Sequence, residues 1–424
     1  MREELRPRRR KAAESSGRRP SGEQRRHRMS REEALAAQEK RKRIEERTEL
    51  GKELARGPID LPFFLLVLLL TGIGLLMLLS ASFPSAYHDP KIRDPIYFFF
   101  RQALFAGAGV AAMLFIGKID YHRFRAFSKI LLIVSGFLLF AVLIPGVGQL
   151  RNGARRWIGV GELFTFQPSE IAKVAVVLYF ADTISKKKDK MRSFREGILP
   201  YGVVLVFICL LVVKEPHVSG AVLILGAGAI LMLVGGINWG WVLGGLGFVG
   251  GIGYFIVGVV GYNSSRMEMW HNPWVDARGK GYQLCQSLIS IGSGGLLGVG
   301  LGKGRQKFMF LPEEHNDFIF AIVCEELGLI GASLIMLLFA ALVLRGYWIA
   351  LNARDRFGSL LVVGMVSLIA MQVFLNIGVV TGLLPTTGIS LPFFSYGGTA
   401  LLMQLAEMGV VLSVSRQMKP PRAG

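Results

Sequence analysis

The chain has 424 residues, 52% of them hydrophobic, with 52 glycines and a mean hydropathy of +0.45. Apolar runs of about 20 residues recur along it, the length that crosses a bilayer core as a helix, which disfavours a large soluble protein. The net charge is +19, and three cysteines without paired spacing predict neither a disulfide framework nor a metal site.

Residues 1–57 differ from the rest, with 19 Lys and Arg against 11 Asp and Glu and few apolar residues. This composition predicts a disordered cytoplasmic tail with a short helix near residues 31–53, and no cleavable signal peptide. A nucleic-acid arm and a tail lying on anionic lipid headgroups both fit the charge. We favour the lipid surface and expect no nucleic-acid partner.

Apolar segments predict ten transmembrane helices, because each helix satisfies its own backbone hydrogen bonds in lipid. The expected fold is therefore an all-α polytopic membrane protein. Its expected parts are the tail 1–57, a membrane domain 58–416 and a second cytoplasmic tail 417–424. The predicted segments lie near 61–82, 98–117, 127–146, 167–184, 198–213, 218–236, 239–261, 316–345, 358–382 and 395–415.

Charge in the connecting loops predicts the orientation. The basic loops all fall on one side of ten spans, and the positive-inside rule makes that side cytoplasmic, with both termini inside. The large loop 262–315 between helices 7 and 8 is then external. The basic loops are 118–129, 186–195, 345–356 and 416–422.

Two predicted external loops carry positive charge against this rule. Arg151, Arg155 and Arg156 precede Trp157 in one of them, and loop 262–315 holds several more cations. Arginine binds phosphates bidentately, so an external cationic patch suits a diphosphate. Pairing with nearby lipid phosphates explains the same charges equally well.

The fourth span begins with Pro168, which suits a first helical turn. Glu170 and Lys173 follow on one helix face, where they can form an ion pair. The pair either fixes helix packing, which we favour, or lines a polar cavity. Further along, the apolar piece 288–301 is too short and too glycine-rich to span, which predicts an interfacial or re-entrant segment.

Residues 311–320 place three carboxylates and His315 directly before an apolar helix. Asp317 is the last of these carboxylates, at a predicted water–lipid boundary, where ionisable groups tend to serve function. Residues 384–398, which include Ser395, hold two prolines and three glycines that predict a bent, non-helical path. Such backbone is tolerated at membrane depth only against protein or a water-filled cavity, so we expect it to form a wall of the site.

Five motifs in order resemble the SEDS family (shape, elongation, division and sporulation), which are ten-span peptidoglycan glycosyltransferases. The resemblance covers residues 58–416. Residues 152–157, and Arg266 together with residues 272–276, favour its division branch over the elongation branch, with the sporulation branch close. His217 departs from the family, which usually has aspartate there, so any role of that aspartate is in doubt. The motifs are 152–158, 167–173, 272–274, 311–320 and 385–398.

The resemblance implies the reaction and the roles. A sugar hydroxyl of an acceptor attacks the anomeric carbon of a lipid-diphosphate-linked donor, with inversion, and lipid II is thereby polymerised. Asp317 resembles the family's essential aspartate and would be the base, with His315 as the nearest competitor. Positive charge for the leaving diphosphate would come from Arg151, Arg155, Arg156 and Lys173, with Trp157, Glu170, His315 and Ser395 completing the site and Glu325 and Glu326 structural.

The sequence requires no cofactor, although a divalent cation (Mg or Mn) could supply the same charge. Expected partners are lipid II, undecaprenyl-diphosphate-linked glycan, membrane lipids, a class B penicillin-binding protein acting as transpeptidase, and other division proteins. The expected location is the cytoplasmic membrane at the division septum. Two alternatives stay open: a lipid II flippase, which predicts polar groups through the membrane midplane, and a scaffold, for which Asp317 would be dispensable.

Overall fold

The computed structural model describes residue 38 and residues 57–90, 92–151, 154–160, 164–254 and 264–418. Residues 55–424 form one compact unit. The predicted disorder and helix of the basic tail, and the end of the chain after residue 418, lie outside the described residues.

Twelve α-helices make up the described part of this unit. A helix lies over each of the ten predicted apolar segments, and two short helices lie within loop 262–315. The helices are α1 Leu61–His88, α2 Tyr97–Lys118, α3 Phe124–Val142, α4 Pro168–Lys187, α5 Leu199–Lys214, α6 Val218–Val234, α7 Trp239–Tyr254, α8 Ser264–His271, α9 Tyr282–Gly294, α10 Ile319–Leu351, α11 Arg356–Val380 and α12 Gly398–Ser415.

Seven helical segments among the described residues are long and apolar enough to cross a membrane. They include α1, α2, α3, α5, α10, α11 and α12. The prediction of a polytopic helical membrane protein is confirmed, whereas the count of ten spans stays a prediction. The helix α4 carries Glu170, Lys173 and Asp182, which make it more polar than the others.

The helices α11 and α12 lie in the centre of the bundle and are mostly buried. The helix α12 packs along α2, and α11 packs against α4, α6 and α10. The outer helices expose large apolar side chains, such as Phe115 and Phe137, which are 68% and 69% exposed. An exposed apolar surface of this kind suits lipid as the surrounding solvent.

A three-stranded antiparallel sheet forms where the sequence predicted only a loop. Its strands are β1 Gly148–Arg151, β2 Ala154–Val160 and β3 Phe164–Phe166, in the order β1-β2-β3. Strands this short leave a weak sequence signal, because their pairing depends on neighbours elsewhere in the fold.

The piece 288–301, predicted to be interfacial or re-entrant, does not form one continuous helix. The helix α9 ends at Gly294, and the chain then turns back through glycines with positive φ, including Gly298 and Gly300. It packs against α10 near Gly328, whose φ of 66° interrupts that helix. The chain thus doubles back within this segment, and its interfacial or re-entrant position stays a prediction.

Candidate active site

Asp317 lies two residues before α10, at the end of a tight turn. The backbone N–H of Phe318 donates to the carbonyl oxygen of Glu313 (3.3 Å), and Glu313 has a left-handed φ of 57°. Phe318 and Ile319 are buried, so packing fixes the start of the helix. The turn therefore presents the Asp317 carboxylate in one place.

Asn376 of α11 holds this turn through its side-chain amide. Its Nδ2 donates to the carbonyl oxygen of Asp317 (2.8 Å) and to that of Ile389 (2.6 Å). The side chain is almost fully buried, and a buried amide that serves two carbonyls holds both in place. Sequence reasoning missed Asn376, whose only signal is an amide within an apolar span.

The loop between α11 and α12 lies against the same turn. The hydroxyl of Ser395 donates to the carbonyl oxygen of Asn316 (2.7 Å). The N–H of Tyr396 donates to the carbonyl oxygen of His315 (2.9 Å). These bonds place residues 384–398, the predicted wall of the site, beside Asp317. The Ser395 hydroxyl thereby holds the backbone of the turn.

Gly388 of this loop lies close to the carboxylate. Its φ is 68°, and a β-carbon added there would lie 3.2 Å from Oδ2 of Asp317. Glycine adopts this conformation without steric cost. The absence of a side chain at Gly388 thus leaves room beside the carboxylate.

Burial raises the pKa of Asp317 to about 6, and the Glu313 carboxylate adds to the effect. The positive charges of Arg156 and His315 act in the opposite direction. The carboxyl is therefore ionised at neutral pH, yet it binds a proton more readily than an ordinary aspartate. These are the properties of a general base.

His315 is held by aromatic packing. Its ring stacks on Phe98, with centroids 4.9 Å apart, and meets Tyr396 edge-on at 6.0 Å. Its Nδ1 lies 3.4 Å from Oε1 of Glu314. The ring thus contacts two aromatic side chains, and one nitrogen lies near a carboxylate, an arrangement that favours an orienting role for the imidazole.

Strand β2 carries Arg156, whose positive charge acts on the Asp317 carboxyl. Nε of Arg156 donates to the carbonyl oxygen of Glu215 (3.1 Å), and Nη2 donates to that of Pro216. Arg155 is adjacent in the strand, and Arg156 is the extra residue of a β-bulge, because Arg155 pairs with Leu150 and Trp157 pairs with Gln149. Regular alternation of faces does not hold at such a bulge, so the binding of one diphosphate by both arginines stays a prediction.

The segment between α5 and α6 contributes a buried carboxylate that sequence reasoning missed. Glu215 is 1% exposed, and its two carboxylate oxygens have no hydrogen-bond partner among the described residues. Burial raises the pKa of Glu215 to about 8, while Arg156 opposes the shift. Glu215 is therefore largely protonated at neutral pH.

His217, which replaces the family's usual aspartate, is neutral. Burial, followed by the charges of Arg156 and Lys173, lowers its pKa to about 3. Its Nδ1 lies 3.1 Å from Nε2 of Gln167 and 3.2 Å from Oγ of Ser169. An uncharged group thus takes the place of a carboxylate here.

The predicted ion pair of α4 forms, with Nζ of Lys173 lying 2.8 Å from Oε2 of Glu170. Lys173 is buried, and Glu407 of α12 interacts electrostatically with both residues. Glu407 is buried halfway along α12, so ionisable groups extend into the interior of the bundle. Buried ionisable residues of this kind favour a polar cavity within the bundle, in addition to the role of the ion pair in helix packing.

The remaining predicted residues are only partly described. Arg151 pairs through its backbone with Ala154, but its side chain lies outside the description, as do those of residues 152, 153 and 266. Trp157 lies in β2 and pairs with Gln149 of β1. Among the described residues, no group of three or more His, Cys, Asp or Glu side chains could hold a metal ion.

Comparison with known proteins identifies relatives along almost the whole membrane unit. The family of cell cycle proteins that comprises FtsW, RodA and SpoVE matches residues 60–420. Stage V sporulation protein E of Bacillus subtilis is 47% identical over 360 residues, 84% of this chain and 97% of the relative. The probable peptidoglycan glycosyltransferase FtsW of Geobacter metallireducens is 43% identical over 369 residues, 87% of this chain and 97% of the relative.

Solved structures agree with this relationship. A chain from a peptidoglycan synthase complex that coordinates polymerization and crosslinking superposes with a TM-score of 0.72 at 26% identity, covering 85% of this chain and 98% of the other. The rod shape determining protein RodA of Thermus thermophilus gives a TM-score of 0.62 at 26% identity, covering 86% and 98%. The chain belongs to the FtsW, RodA and SpoVE family of cell cycle proteins.

Proposed function

We propose that this chain is a peptidoglycan glycosyltransferase that polymerises lipid II at the outer face of the cytoplasmic membrane. The observation that carries the proposal is the placement of Asp317, a carboxylate with a raised pKa beside the charge of Arg156. The names of the relatives and of the synthase complex support it. Septal synthesis during division is the proposed role, and sporulation is the close alternative.

Asp317 acts first in the proposed reaction. Its carboxylate takes the proton from the acceptor's sugar hydroxyl as that oxygen bonds to the donor's anomeric carbon. The bond from that carbon to the diphosphate breaks, and its electron pair leaves with undecaprenyl diphosphate. Attack from the opposite side inverts the anomeric centre.

Arg156 supplies the electrostatic part. The leaving diphosphate gains negative charge, and a fixed cation stabilises such charge without reorganising. Arg156 is anchored by two backbone carbonyls, so its guanidinium is already in place. Lys173 lies deeper and is paired, so it is assigned to the polar interior of the bundle.

A transporter of the same lipid is the second candidate, because Glu407 and Lys173 place charge within the bundle. The purified full chain in vesicles with lipid II supplied outside distinguishes the two. A glycan ladder supports the proposed enzyme. Transfer of labelled lipid II to the inner leaflet without a ladder would support the transporter.

Gly388→Ala is expected to reduce polymerisation about tenfold in a folded protein. Its β-carbon would press on Oδ2 of Asp317 at 3.2 Å, displacing the base, and small misplacements of reacting groups are costly. Gly382→Ala is the matched control. Gly382 has a similar φ of 75° but would meet only leucine side chains at 3.7–3.8 Å.

Both alanine variants should lose similar thermal stability, about 1 kcal/mol each from the left-handed backbone. Polymerisation rates, measured beside melting curves, separate crowding from strain. Equal activity in the two variants would show that Gly388 has no special relation to the carboxylate.

The proposed orientation places both termini in the cytoplasm and loop 262–315 outside, following the basic loops. A cysteine introduced at exposed Asn272 should react with an impermeant maleimide added to intact cells. A cysteine at Arg192, in a basic loop, should react only after permeabilisation. The reverse pattern would place Asp317 on the wrong side for an external substrate.

We propose that any divalent cation arrives with the substrate diphosphate and is not held by resident ligands. Chelation with EDTA should then slow polymerisation only by removing the cation that screens the diphosphate of the substrate. Adding Mg or Mn should restore the rate. Chelation should leave the melting temperature of the purified protein unchanged, since a structural metal would add stability. A drop in melting temperature would instead reveal a resident site.

The synthase complex suggests a partner for this chain. We propose that it works with a class B penicillin-binding protein, which crosslinks the glycan that this chain makes. The other division proteins and the septal location follow from the division role.

A further inference from the structure

Residues 295–310, called the rim here, have one face fixed to α10 by two buried carboxylates. Glu325 accepts hydrogen bonds from the N–H groups of Arg305 (2.7 Å) and Gln306 (3.3 Å). Glu326 accepts one from Gly302 (3.0 Å) and pairs with Nζ of Lys307 at 2.7 Å. These bonds hold the rim in one position against α10.

Two polar contacts between α1 and α10 give the depth of the rim. At one end, Asp60 pairs with Arg345 (2.7 Å), and at the other, the hydroxyl of Ser80 bonds to Glu326 (2.7 Å). Twenty helical residues separate Asp60 from Ser80, about 30 Å, which equals the hydrocarbon thickness of a bilayer. Glu326 and the rim therefore lie at the membrane boundary on the side of Asp317.

The free face of the rim is apolar and cationic. The side chains of Lys303 and Arg305 are exposed, and no described carboxylate forms an ion pair with either. A face with this chemistry at the headgroup level suits a phosphate-bearing lipid. Its exposed apolar residues are Leu296 (66%), Leu297 (81%), Val299 (39%), Leu301 (55%), Phe308 (50%), Met309 (70%) and Phe310 (53%).

The distance from the rim to Asp317 indicates which of the two substrate diphosphates the rim can bind. Glu326 follows Asp317 by nine residues in the chain, a separation of about 13 Å along a helix. The donor's diphosphate is bonded to the carbon under attack, so it must lie next to Asp317. The acceptor's hydroxyl and its diphosphate are at opposite ends of a disaccharide, so its diphosphate must lie some way from the base.

We propose that the rim is the subsite for the lipid anchor of the acceptor: Lys303 and Arg305 bind its diphosphate, and the exposed leucine and phenylalanine side chains contact its polyprenyl chain. This inference rests on the proposed function. It assigns the donor's diphosphate to Arg156 and the acceptor's to the rim, so the site holds two lipid diphosphates at different depths.

The test uses two analogues and a single coupling step, with the full chain in detergent. The acceptor-only analogue is lipid II with a phosphonate in place of the anomeric phosphate ester, which cannot donate. The donor-only analogue is a lipid-linked tetrasaccharide whose terminal hydroxyl is methylated. The double variant K303S/R305S is compared with R278S/K280S, which removes two exposed charges from the same external loop.

For K303S/R305S we expect the KM of the acceptor-only analogue to rise about tenfold or more, because charge-assisted contacts to phosphate are lost. The KM of the donor-only analogue and the rate at saturating acceptor should stay unchanged. R278S/K280S should match the wild type. A rise in the donor's KM, an equal effect of the control, or no effect, as when the rim contacts only bilayer lipid, would overturn the proposal.

A second pair of measurements tests whether the apolar side chains of the rim contact the polyprenyl chain. For L296S/L297S, the KM should rise for an acceptor with an undecaprenyl chain and not for one with a farnesyl chain. Equal changes for both would remove the polyprenyl assignment. Binding of the acceptor-only analogue to D317N, with and without K303S/R305S, needs no turnover, so it judges the rim even if the wild type makes no glycan and the proposed function fails.

Discussion

Replacing Asp317 with asparagine is expected to lower the rate of glycan polymerisation by a factor of about 10²–10⁴, the usual cost of losing a general base. Asparagine keeps the shape, and the bond from Asn376 to the backbone carbonyl does not involve the side chain. The variant should therefore fold, reach the membrane and bind lipid II. Rate and polymer length, measured beside a melting curve, check this result.

His315→Ala is the comparison for this variant. The imidazole is packed against Phe98 and Tyr396, so its loss should loosen the turn and reduce the rate less than loss of the carboxylate. If His315→Ala were inactive and Asp317→Asn polymerised at the wild-type rate, the base would be the histidine.

The pH dependence gives the same assignment a second test. A general base works only when it is deprotonated, and the pKa of Asp317 is about 6. The wild-type rate should therefore be constant well above pH 6 and fall as the pH drops through that value. A rate independent of pH between 5 and 7, values taken about one unit on each side of that pKa, would contradict it.

Arg156→Ala is expected to lower the rate about 10- to 100-fold, the cost of one or two charge-assisted contacts. Arg155→Ala is the matched control, because it removes the same charge from the adjacent residue, which does not shift the pKa of Asp317. Arg156→Lys should restore only part of the rate, since lysine lacks the planar fork. Steady-state rates of the three variants at saturating lipid II check this prediction, and equal rates for Arg156→Ala and Arg155→Ala would contradict it.

A structural role of Arg156 alone would not change the titration of Asp317. Because the Arg156 charge lowers the pKa of Asp317, its removal should move the pH profile toward higher pH. Arg155→Ala should leave the profile where it is. An unshifted profile in Arg156→Ala would mean that the arginine only holds the carbonyls of Glu215 and Pro216.

The sequence predicted the elements whose signals are local. Long apolar runs predicted the helices, and Pro168 marked the start of α4 where the structure has it. Prolines and glycines predicted the bent loop after α11. In each case the physical cause lies within a few residues of the effect.

The parts that depend on distant residues were missed or incomplete. Asn376 meets Asp317 only when α11 packs beside α10, and nothing near Asn376 in sequence indicates that contact. The β-bulge at Arg156 follows from strand pairing that the sequence did not reveal. Glu215 was missed because its importance comes from burial next to Arg156.

Glu325 and Glu326 were expected to be structural, and the structure shows what they hold. Their carboxylates bind the backbone of the rim, 20 or so residues earlier in the chain. Spacing along α10 gave no indication of this partner. A glycine-rich segment can approach a helix from many directions, and only tertiary packing selects one.

Polymer formation by the purified full chain is the measurement that tests the central claim most directly. Wild type and Asp317→Asn are incubated side by side with lipid II, with no other polymerase present, and with and without a class B penicillin-binding protein. We predict a glycan ladder from the wild type and none from Asp317→Asn in the same conditions. A ladder of equal yield from both proteins, or none from the wild type even with the partner, would contradict the proposed function.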